Sequence, residues 1–210
     1  MIVSVFGASG RTGKAFVKLA AESGLYVRAH YRTAPLEPSP DTVTVVVGAL
    51  TDPTAVREVL RGADAVVVLL GPHPSAHRVF CATATKAILA GMATQNVPRI
   101  LCVTGAMIGE RPSNVSLALK LMSFGARRTE QGDTLADRDA QERAVRSSPA
   151  AWTMVKPATL TDGLGTEFEA GPAVSVGLSS RCTRLSLATF LVAEVTRPQY
   201  ATSAVYVKDR

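Results

Sequence analysis

Short apolar segments alternate with longer amphipathic segments along most of the chain. The apolar segments lie at residues 2–6, 26–31, 42–47, 65–70, 100–104 and 152–155. The segments between them carry apolar residues at helical spacing, as at Val56, Val59 and Leu60. Strands that alternate with helices predict a parallel sheet covered by helices on both faces. The 210 residues suit one domain, so the pattern predicts a single α/β domain with a doubly wound sheet.

The second half of the chain is less regular. Residues 105–132 and 158–180 are rich in turn residues, and we expect them to be insertions that shape a substrate site. Residues 185–195 predict a final helix, and residues 204–207 predict an edge strand. Residues 133–147 predict a charged surface helix, with a solvent-facing side formed by Asp133, Asp137, Asp139 and Glu142.

The strongest chemical signal is Gly-Ala-Ser-Gly-Arg-Thr-Gly at residues 7–13, which leaves the first strand and opens a helix. Glycines here allow a tight turn at Gly7, close backbone approach to a pyrophosphate at Gly10, and close helix–strand packing at Gly13. Main-chain N–H groups at a helix start also bind phosphate. The segment predicts a Rossmann-type dinucleotide site, and a structural turn without a ligand is the alternative. The expected contacts are Gly7, Ser9, Gly10, Arg11, Thr12 and Gly13.

The end of the second strand bears on which dinucleotide is bound. NAD-binding proteins commonly place a carboxylate there for the ribose 2′-hydroxyl, whereas this chain has Arg32. A guanidinium attracts a 2′-phosphate through charge-assisted hydrogen bonds. We therefore expect NADPH to be preferred over NADH, with Arg11 as a second contact. An exposed loop cation without a ligand is the other interpretation of Arg32.

Composition argues against nucleic-acid binding, membrane association and metal binding. The formal net charge of +6 suits an anionic ligand, but the basic residues are scattered, so we expect no nucleic-acid partner. No apolar run reaches the length that spans a membrane, and no targeting segment precedes the first strand, so we expect a cytoplasmic protein without a membrane partner. The three cysteines have no metal-ligand spacing, which predicts buried thiols and no metal site.

Several further motifs resemble those of one known family. They are G-A-L-T-D-P at 48–53, G-A-D-A-V-V-V-L-L-G at 62–71, V-T-G-A at 103–106, W-T-M-V-K-P at 152–157 and S-R-C-T-R-L-S-L-A at 180–188. With the glycine loop and Arg32, they resemble the atypical short-chain dehydrogenase/reductases of the NAD(P)H-binding, NmrA-like group, which includes flavin/biliverdin reductase B-type enzymes. The resemblance covers nearly the whole chain and implies an NADPH-dependent oxidoreductase.

The same resemblance implies cofactor contacts at the carboxyl ends of later strands. These are Ala49 and Leu50 at the adenine, Leu70 and Gly71 beside the ribose and phosphates, and Thr104, Pro157 and Ala158 at the nicotinamide end. Two positions depart from the family pattern. Ala49 stands where an aspartate is common, and Lys156 stands where arginine is usual, and both changes could alter the affinity for the cofactor.

The catalytic groups are less well marked. None of the four tyrosines is followed by lysine four residues later, so the classical Tyr-Lys proton donor is excluded. Thr104 and His73 are the candidate catalytic residues. Thr104 would orient a carbonyl group or a water molecule, or is an ordinary threonine at a strand end. His73 would act as a general acid or a phosphate contact, or is a solvent-facing loop residue.

Three functions stay open at this point. The leading one is a reductase that transfers hydride to a flavin, quinone, tetrapyrrole or other conjugated carbonyl compound, with water as the proton source. The others are a tailoring enzyme of small-molecule biosynthesis and a non-enzymatic NADP sensor. Apolar residues in the two insertions favour a bulky or aromatic substrate, with core packing as the alternative: Met107, Ile108, Leu121, Met122, Phe124, Leu160, Leu164 and Phe168. The sequence carries no signal for the oligomeric state.

Overall fold

The computed structural model describes residues 1–36, 38–71, 80–109, 114–129, 132–165 and 167–210. The strands are β1 Ile2–Phe6, β2 Tyr26–Tyr31, β3 Val43–Val47, β4 Ala65–Val68, β5 Arg99–Val103, β6 Ala151–Pro157, β7 Thr159–Thr161, β8 Phe168–Gly171, β9 Arg181–Thr183 and β10 Ser203–Asp209. The helices are α1 Arg11–Glu22, α2 Pro53–Leu60, α3 Cys81–Gln95, α4 Leu117–Ala126, α5 Gly132–Arg146 and α6 Arg184–Thr196.

Eight of the strands form one sheet in the order β3-β2-β1-β4-β5-β6-β10-β8. Every neighbouring pair is parallel except β10 with β8, which is antiparallel. The chain runs outward from β1 in one direction and then returns to β4 on the other side. This is the doubly wound Rossmann arrangement, so the predicted fold class is confirmed.

Helices cover both faces of this sheet and divide the core into two layers. α1 packs against α6 on one face, whereas α3 packs against α2 and α5 on the other. Val67 and Leu101 face the first layer, and their neighbours Val66 and Ile100 face the second. Alternate residues therefore point to opposite faces, and strands buried on both sides appear in the sequence as continuous apolar runs.

Two local predictions about the second half are wrong. Residues 204–207 belong to β10, which lies between β6 and β8 and is an interior strand, because β8 takes the edge position. The helix at 133–147 is not a solvated surface element, since Asp137 and Glu142 are 6% and 2% exposed. The helix packs against α3, where Asp137 accepts hydrogen bonds at the start of α3, and Glu142 lies beside Thr104 after β5.

The two predicted insertions contain the remaining elements. α4 lies in the first, and a small parallel pair of β7 with β9 borders the second. A single bridge between Val115 and Val176 joins the two segments. The three cysteines are buried and unpaired, as expected, and burial raises the pKa of the Cys102 thiol to about 12. None of the helices in the described residues has the length and apolar character needed to cross a bilayer.

Candidate functional site

The carboxyl ends of β1, β4, β5 and β6 stand side by side at one edge of the sheet, which we call the ligand edge. The strand order reverses between β1 and β4, and such reversals open the crevice in which α/β sheets bind ligands. Arg138 joins two of these ends, since its guanidinium donates to the carbonyl oxygens of Leu70 (2.5 Å) and Thr104 (2.9 Å). The Ala106 N–H donates to the carbonyl of Pro157 (3.1 Å). The predicted cofactor residues of these strands therefore lie together.

The glycine loop after β1 has three glycines with three different surroundings. Gly7 has a φ of +94°, and a Cβ there would lie 2.7 Å from the carbonyl carbon of Leu69. A Cβ at Gly13 would collide with the carbonyl oxygen of Gly7 and lie 2.8 Å from the Cα of Ala8. A Cβ at Gly10 meets only the carbonyl oxygen of Gly7, at 3.4 Å. The fold itself therefore requires Gly7 and Gly13, whereas the space beside Gly10 is open to a ligand.

The start of α1 differs from the starts of other helices. Asp52, Ser116 and Thr183 accept hydrogen bonds from the first N–H groups of α2, α4 and α6. Asp137 does the same for α3, accepting from three successive main-chain N–H groups. Gly10 directly precedes α1 at the N-cap position, and within the described residues no side chain caps the start of this helix. The N–H groups at the start of α1 are thus available to a phosphate group.

The two arginines of the predicted phosphate site differ in their partners. Arg32 follows β2 directly and is exposed, and its guanidinium makes no hydrogen bond or ion pair within the described part of the chain. Arg11 instead contacts the carboxylate of Asp162 at 3.0 Å, and Asp162 also contacts Arg184 at 2.7 Å. The expected role of Arg32 stays a prediction, and Arg11 would have to leave Asp162 to assist it.

The other predicted cofactor contacts divide into exposed and buried positions. The exposed ones are Ser9, Ala49 and Gly71, and the buried ones are Leu50, Leu70, Pro157 and Ala158. Leucine side chains at 50 and 70 pack in the core, so these two residues can offer a ligand only their main chain. His73 lies outside the described residues, and its predicted catalytic role stays a prediction.

Thr104 is half-buried at the end of β5 and belongs to a polar cluster that the sequence did not indicate. Its hydroxyl donates to Oε1 of Glu142 (2.6 Å), and the same oxygen lies 3.0 Å from the ammonium group of Lys156. Lys156 also donates to the main-chain oxygen of Ile108. Burial lowers the pKa of Lys156, and the carboxylate of Glu142 opposes this shift. We call Thr104, Glu142 and Lys156 the buried triad.

Two further features hold the buried triad in place. Gly109 has a φ of +67°, and a Cβ at this position would run into the carboxylate of Glu142. The main-chain N–H of Thr104 donates to Val155 (2.9 Å), while its main-chain oxygen accepts from Arg138. The backbone of Thr104 is therefore fixed on both sides, and only its side-chain oxygen is left to respond to a ligand.

The polar side of α5 is the feature that sequence reasoning missed. Asp137, Arg138, Gln141, Glu142 and Val145 are buried, and their spacing traces one helical face. Only one of these five residues is apolar, so the stripe does not stand out as a hydrophobic pattern. The signal that was present is the helical spacing itself, which places four polar residues on one side of a helix with few apolar residues on any side.

His30 lies on β2 beside the predicted adenine end of the site. It is buried, its ring lies 5.6 Å from the ring of Phe6 at a tilt of 34°, and its Nε2 lies 2.9 Å from the main-chain oxygen of Gly48. Burial lowers the pKa of His30, and the hydrogen bond to Gly48 opposes this shift. His30 therefore braces the turn after β3 from inside the fold.

The apolar residues of the two insertions do not behave alike. Ile108 is buried, whereas Leu121, Met122, Phe124 and Leu164 are exposed. The exposed group includes three residues of α4, which therefore carries an apolar surface on its outer side. The structure is thus compatible with a substrate role for α4 but not for Ile108.

Comparison with known proteins agrees with this geometry. The family model described as NAD(P)H-binding matches residues 7–198. A short-chain dehydrogenase/reductase from Veillonella parvula, solved in complex with NADP, is 15% identical, with a TM-score of 0.78 over 98% of this chain and 93% of that one. The anaerobilin reductase ChuY from Escherichia coli O157:H7 is 17% identical, with a TM-score of 0.78 over 99% and 96%.

A third similar structure is a Streptococcus pneumoniae protein described as a candidate NADH-flavin reductase. It is 19% identical, and the TM-score is 0.81 over the whole of both chains. These identities are low, so the structures establish the fold. The family match confirms the predicted resemblance to NAD(P)H-binding proteins, and the expected oxidoreductase class agrees with the descriptions of these neighbours.

Proposed function

Because the chain belongs to the NAD(P)H-binding family, we propose that it is an oxidoreductase that prefers NADPH and reduces a conjugated small molecule. The observation that carries the proposal is the uncapped start of α1 above the open side of Gly10, at the point where the strand order reverses. A pyrophosphate there would accept hydrogen bonds from main-chain N–H groups and gain from the helix dipole.

The residues present fit the cofactor along the ligand edge. Gly7 and Gly13 let the loop lie close to β4 and to itself, and Gly10 leaves room for a diphosphate. Arg32 has no competing carboxylate partner within the described residues, which supports a role with a 2′-phosphate. The preference for NADPH over NADH rests on this one guanidinium.

The chemistry divides between the cofactor and the protein. A bound reduced nicotinamide supplies a hydride, which breaks a C–H bond on the cofactor and forms a new bond on the acceptor. The protein orients the two partners at the ends of β5 and β6, where Thr104 is half-buried and Ala158 is buried. Without a tyrosine acid, the proton that completes the reduction comes from water.

The substrate class is a flavin or a linear tetrapyrrole. Two similar structures are described as reductases of such compounds, which supports this choice. The exposed side chains of Leu121 and Phe124 on α4, and of Leu164 in the second insertion, would suit a large flat ring system. Thr104 would contact the acceptor, and its neighbours in the buried triad would hold it.

Purified protein tests the proposal directly. We expect the protein to oxidise NADPH in the presence of FMN, riboflavin or biliverdin. The oxidation is measured as the loss of reduced-nicotinamide absorbance. Absence of turnover with every acceptor would contradict the reductase assignment. Tight NADPH binding without turnover would favour a sensor instead.

One variant separates cofactor binding from folding. The fold leaves room for a methyl group at Gly10, so we expect Gly10→Ala to change the free energy of unfolding by no more than about 1 kcal/mol. The added methyl group would push the diphosphate from the N–H groups, and we expect NADPH binding to weaken by about tenfold or more. Gly125→Ala in α4 is the matched control, because a Cβ there meets nothing within 4 Å. Equal NADPH affinity in Gly10→Ala and Gly125→Ala would contradict the proposed phosphate site.

A further inference from the structure

The buried triad determines how Thr104 can hydrogen-bond to a ligand. Lys156 is fully buried and Glu142 is 2% exposed, so each charge depends on the other for compensation. Removing one partner would strand the other charge in the interior, which is strongly unfavourable. Oε1 of Glu142 lies 3.0 Å from the ammonium group of Lys156 and 2.6 Å from the hydroxyl oxygen of Thr104, so this oxygen is the acceptor in both contacts.

The hydroxyl proton of Thr104 is consequently used in the hydrogen bond to Glu142 and cannot be donated to a ligand. The Oγ1–Oε1 distance of 2.6 Å is that of a good hydrogen bond to a carboxylate, and Thr104 alone has a proton to give in this contact. A hydroxyl group has one donor and two acceptor lone pairs. What Thr104 has left to offer is a lone pair, so it faces the ligand edge as a hydrogen-bond acceptor.

We propose that Glu142 is a positioning residue that fixes Thr104 as an acceptor, so that the site selects a conjugated substrate carrying a ring N–H over one that has only carbonyl oxygens. This inference rests on the proposed reductase function and narrows its substrate. Oxidised isoalloxazine has one ring N–H, at N3, and linear tetrapyrroles have pyrrole N–H groups. Oxidised quinones have none, so they would place two acceptors against each other.

A second buried ion pair provides a matched control. Arg99 contacts Glu194 at 2.8 Å, and both side chains are buried at the opposite end of β5 from Thr104. Glu194→Gln and Glu142→Gln each neutralise a buried carboxylate beside a cation, so we expect both to lower stability. Only Glu142→Gln changes the group that faces Thr104, because an amide can donate to Oγ1 and release the hydroxyl proton toward the ligand.

The decisive experiment compares ligands that differ only in the donor. Riboflavin is compared with its N3-methyl derivative, and biliverdin with an N-methyl biliverdin, in the presence of NADP⁺. The dissociation constants are measured by fluorescence quenching, and kcat and KM are measured where turnover occurs. We expect the parent of at least one pair to bind about tenfold more tightly than its methylated form, because methylation leaves the acceptor at Thr104 without a donor.

Variants then test whether the preference for the parent ligand over its N-methyl form depends on Thr104. We expect Thr104→Ser to keep the preference, Thr104→Val and Glu142→Gln to reduce it toward one, and Glu194→Gln to leave it unchanged. A steric effect of the methyl group would persist in Thr104→Val, which is mild enough to fold. A preference that survives in Thr104→Val, or that is absent in the unaltered protein, would overturn the inference, as would failure to bind either parent.

Failure of the proposed function is distinguishable from failure of this inference. If the protein binds riboflavin or biliverdin with the expected preference but oxidises no NADPH, the reductase assignment fails and the role of Thr104 stands. If the protein turns over the two members of each pair equally, the reductase assignment stands and the role of Thr104 fails.

Discussion

The glycine loop and helix α5 serve the same edge of the sheet in opposite ways. The loop would meet a ligand with main-chain N–H groups, because no side chain caps the start of α1 and the space beside Gly10 is open. Helix α5 lies beneath the edge and holds it with buried side chains, among them Arg138 and Glu142. The loop is proposed to contact a diphosphate, whereas the helix holds the neighbouring strand ends together through buried side chains.

The two regions also differ in how far apart in the sequence their interacting residues lie. The glycines of the loop are adjacent in sequence and lie between β1 and α1, so the loop can be recognised from a local pattern. The α5 network joins residues that are far apart in the chain, such as Arg138 to Leu70 and Glu142 to Thr104. Damage to the loop should therefore remove binding, while damage to the network should first remove stability.

The largest expected effect is on the network. Lys156→Met would leave the buried carboxylate of Glu142 without its cation, and we expect the free energy of unfolding to fall by about 3–5 kcal/mol in urea denaturation. The double variant Glu142→Gln with Lys156→Met should recover most of this loss. A double variant as unstable as Lys156→Met alone would show that packing, and not charge, is responsible.

A smaller effect on stability, with complete loss of binding, is expected in the loop. Gly13→Ala places a Cβ against the backbone of Gly7 and Ala8, which cannot move aside as a flexible side chain would. We expect a loss of about 1–3 kcal/mol in stability and no detectable heat with NADPH in calorimetry. If Gly13→Ala bound NADPH normally, the close packing of α1 on β1 would not be needed for the site.

Arg32 would contribute to the preference for NADPH over NADH and not to the stability of the fold. We expect Arg32→Ala to weaken NADPH by about 10–100-fold, which corresponds to about 1.5–3 kcal/mol for charge-assisted hydrogen bonds. NADH binding should stay the same. Equal losses for NADPH and NADH would refute the assigned role, and Arg11→Ala provides the comparison with an arginine already paired to Asp162.

The smallest effect concerns His30, which braces the turn after β3 at the predicted adenine end of the site. Because burial lowers the pKa of His30, the unfolded chain takes up a proton at a higher pH than the folded protein does. Stability is therefore full above the ordinary histidine pKa and is lost as the pH falls below it toward the folded pKa. We expect His30→Gln, measured by urea denaturation from pH 7.5 down to pH 5.5, to lose less stability over this range than the unaltered protein. An equal loss in both would exclude His30 as the source.

The sequence predicted the parts of the fold that depend on local pattern. Apolar runs at β1, β4 and β5 and the helix between Asp52 and Gly62 follow from residue spacing and capping chemistry. The glycine loop was equally readable, since its position between strand and helix gives each glycine a separate task.

What the sequence could not predict depends on contacts between distant segments. In the sequence, Glu142 has the pattern of a surface carboxylate. In the structure, β6 places Lys156 beside it in the interior. The strand at 204–207 looks like an edge strand until β8 folds back and pairs with it in antiparallel fashion. Thr104 stays a predicted catalytic residue, and its hydrogen-bond partner lies 38 positions further along the chain, so that partner could not be inferred from local spacing.

The interior position of β10 has a consequence for synthesis on the ribosome. β6 and β8 are made before β10, which later fills the gap between them and buries Val205 and Val207 completely. Until residues 203–209 emerge, both older strands present unpaired backbone to the surroundings, and such edges invite association with other chains. The nascent protein should therefore depend most on chaperones during this interval, when a single late segment closes the sheet.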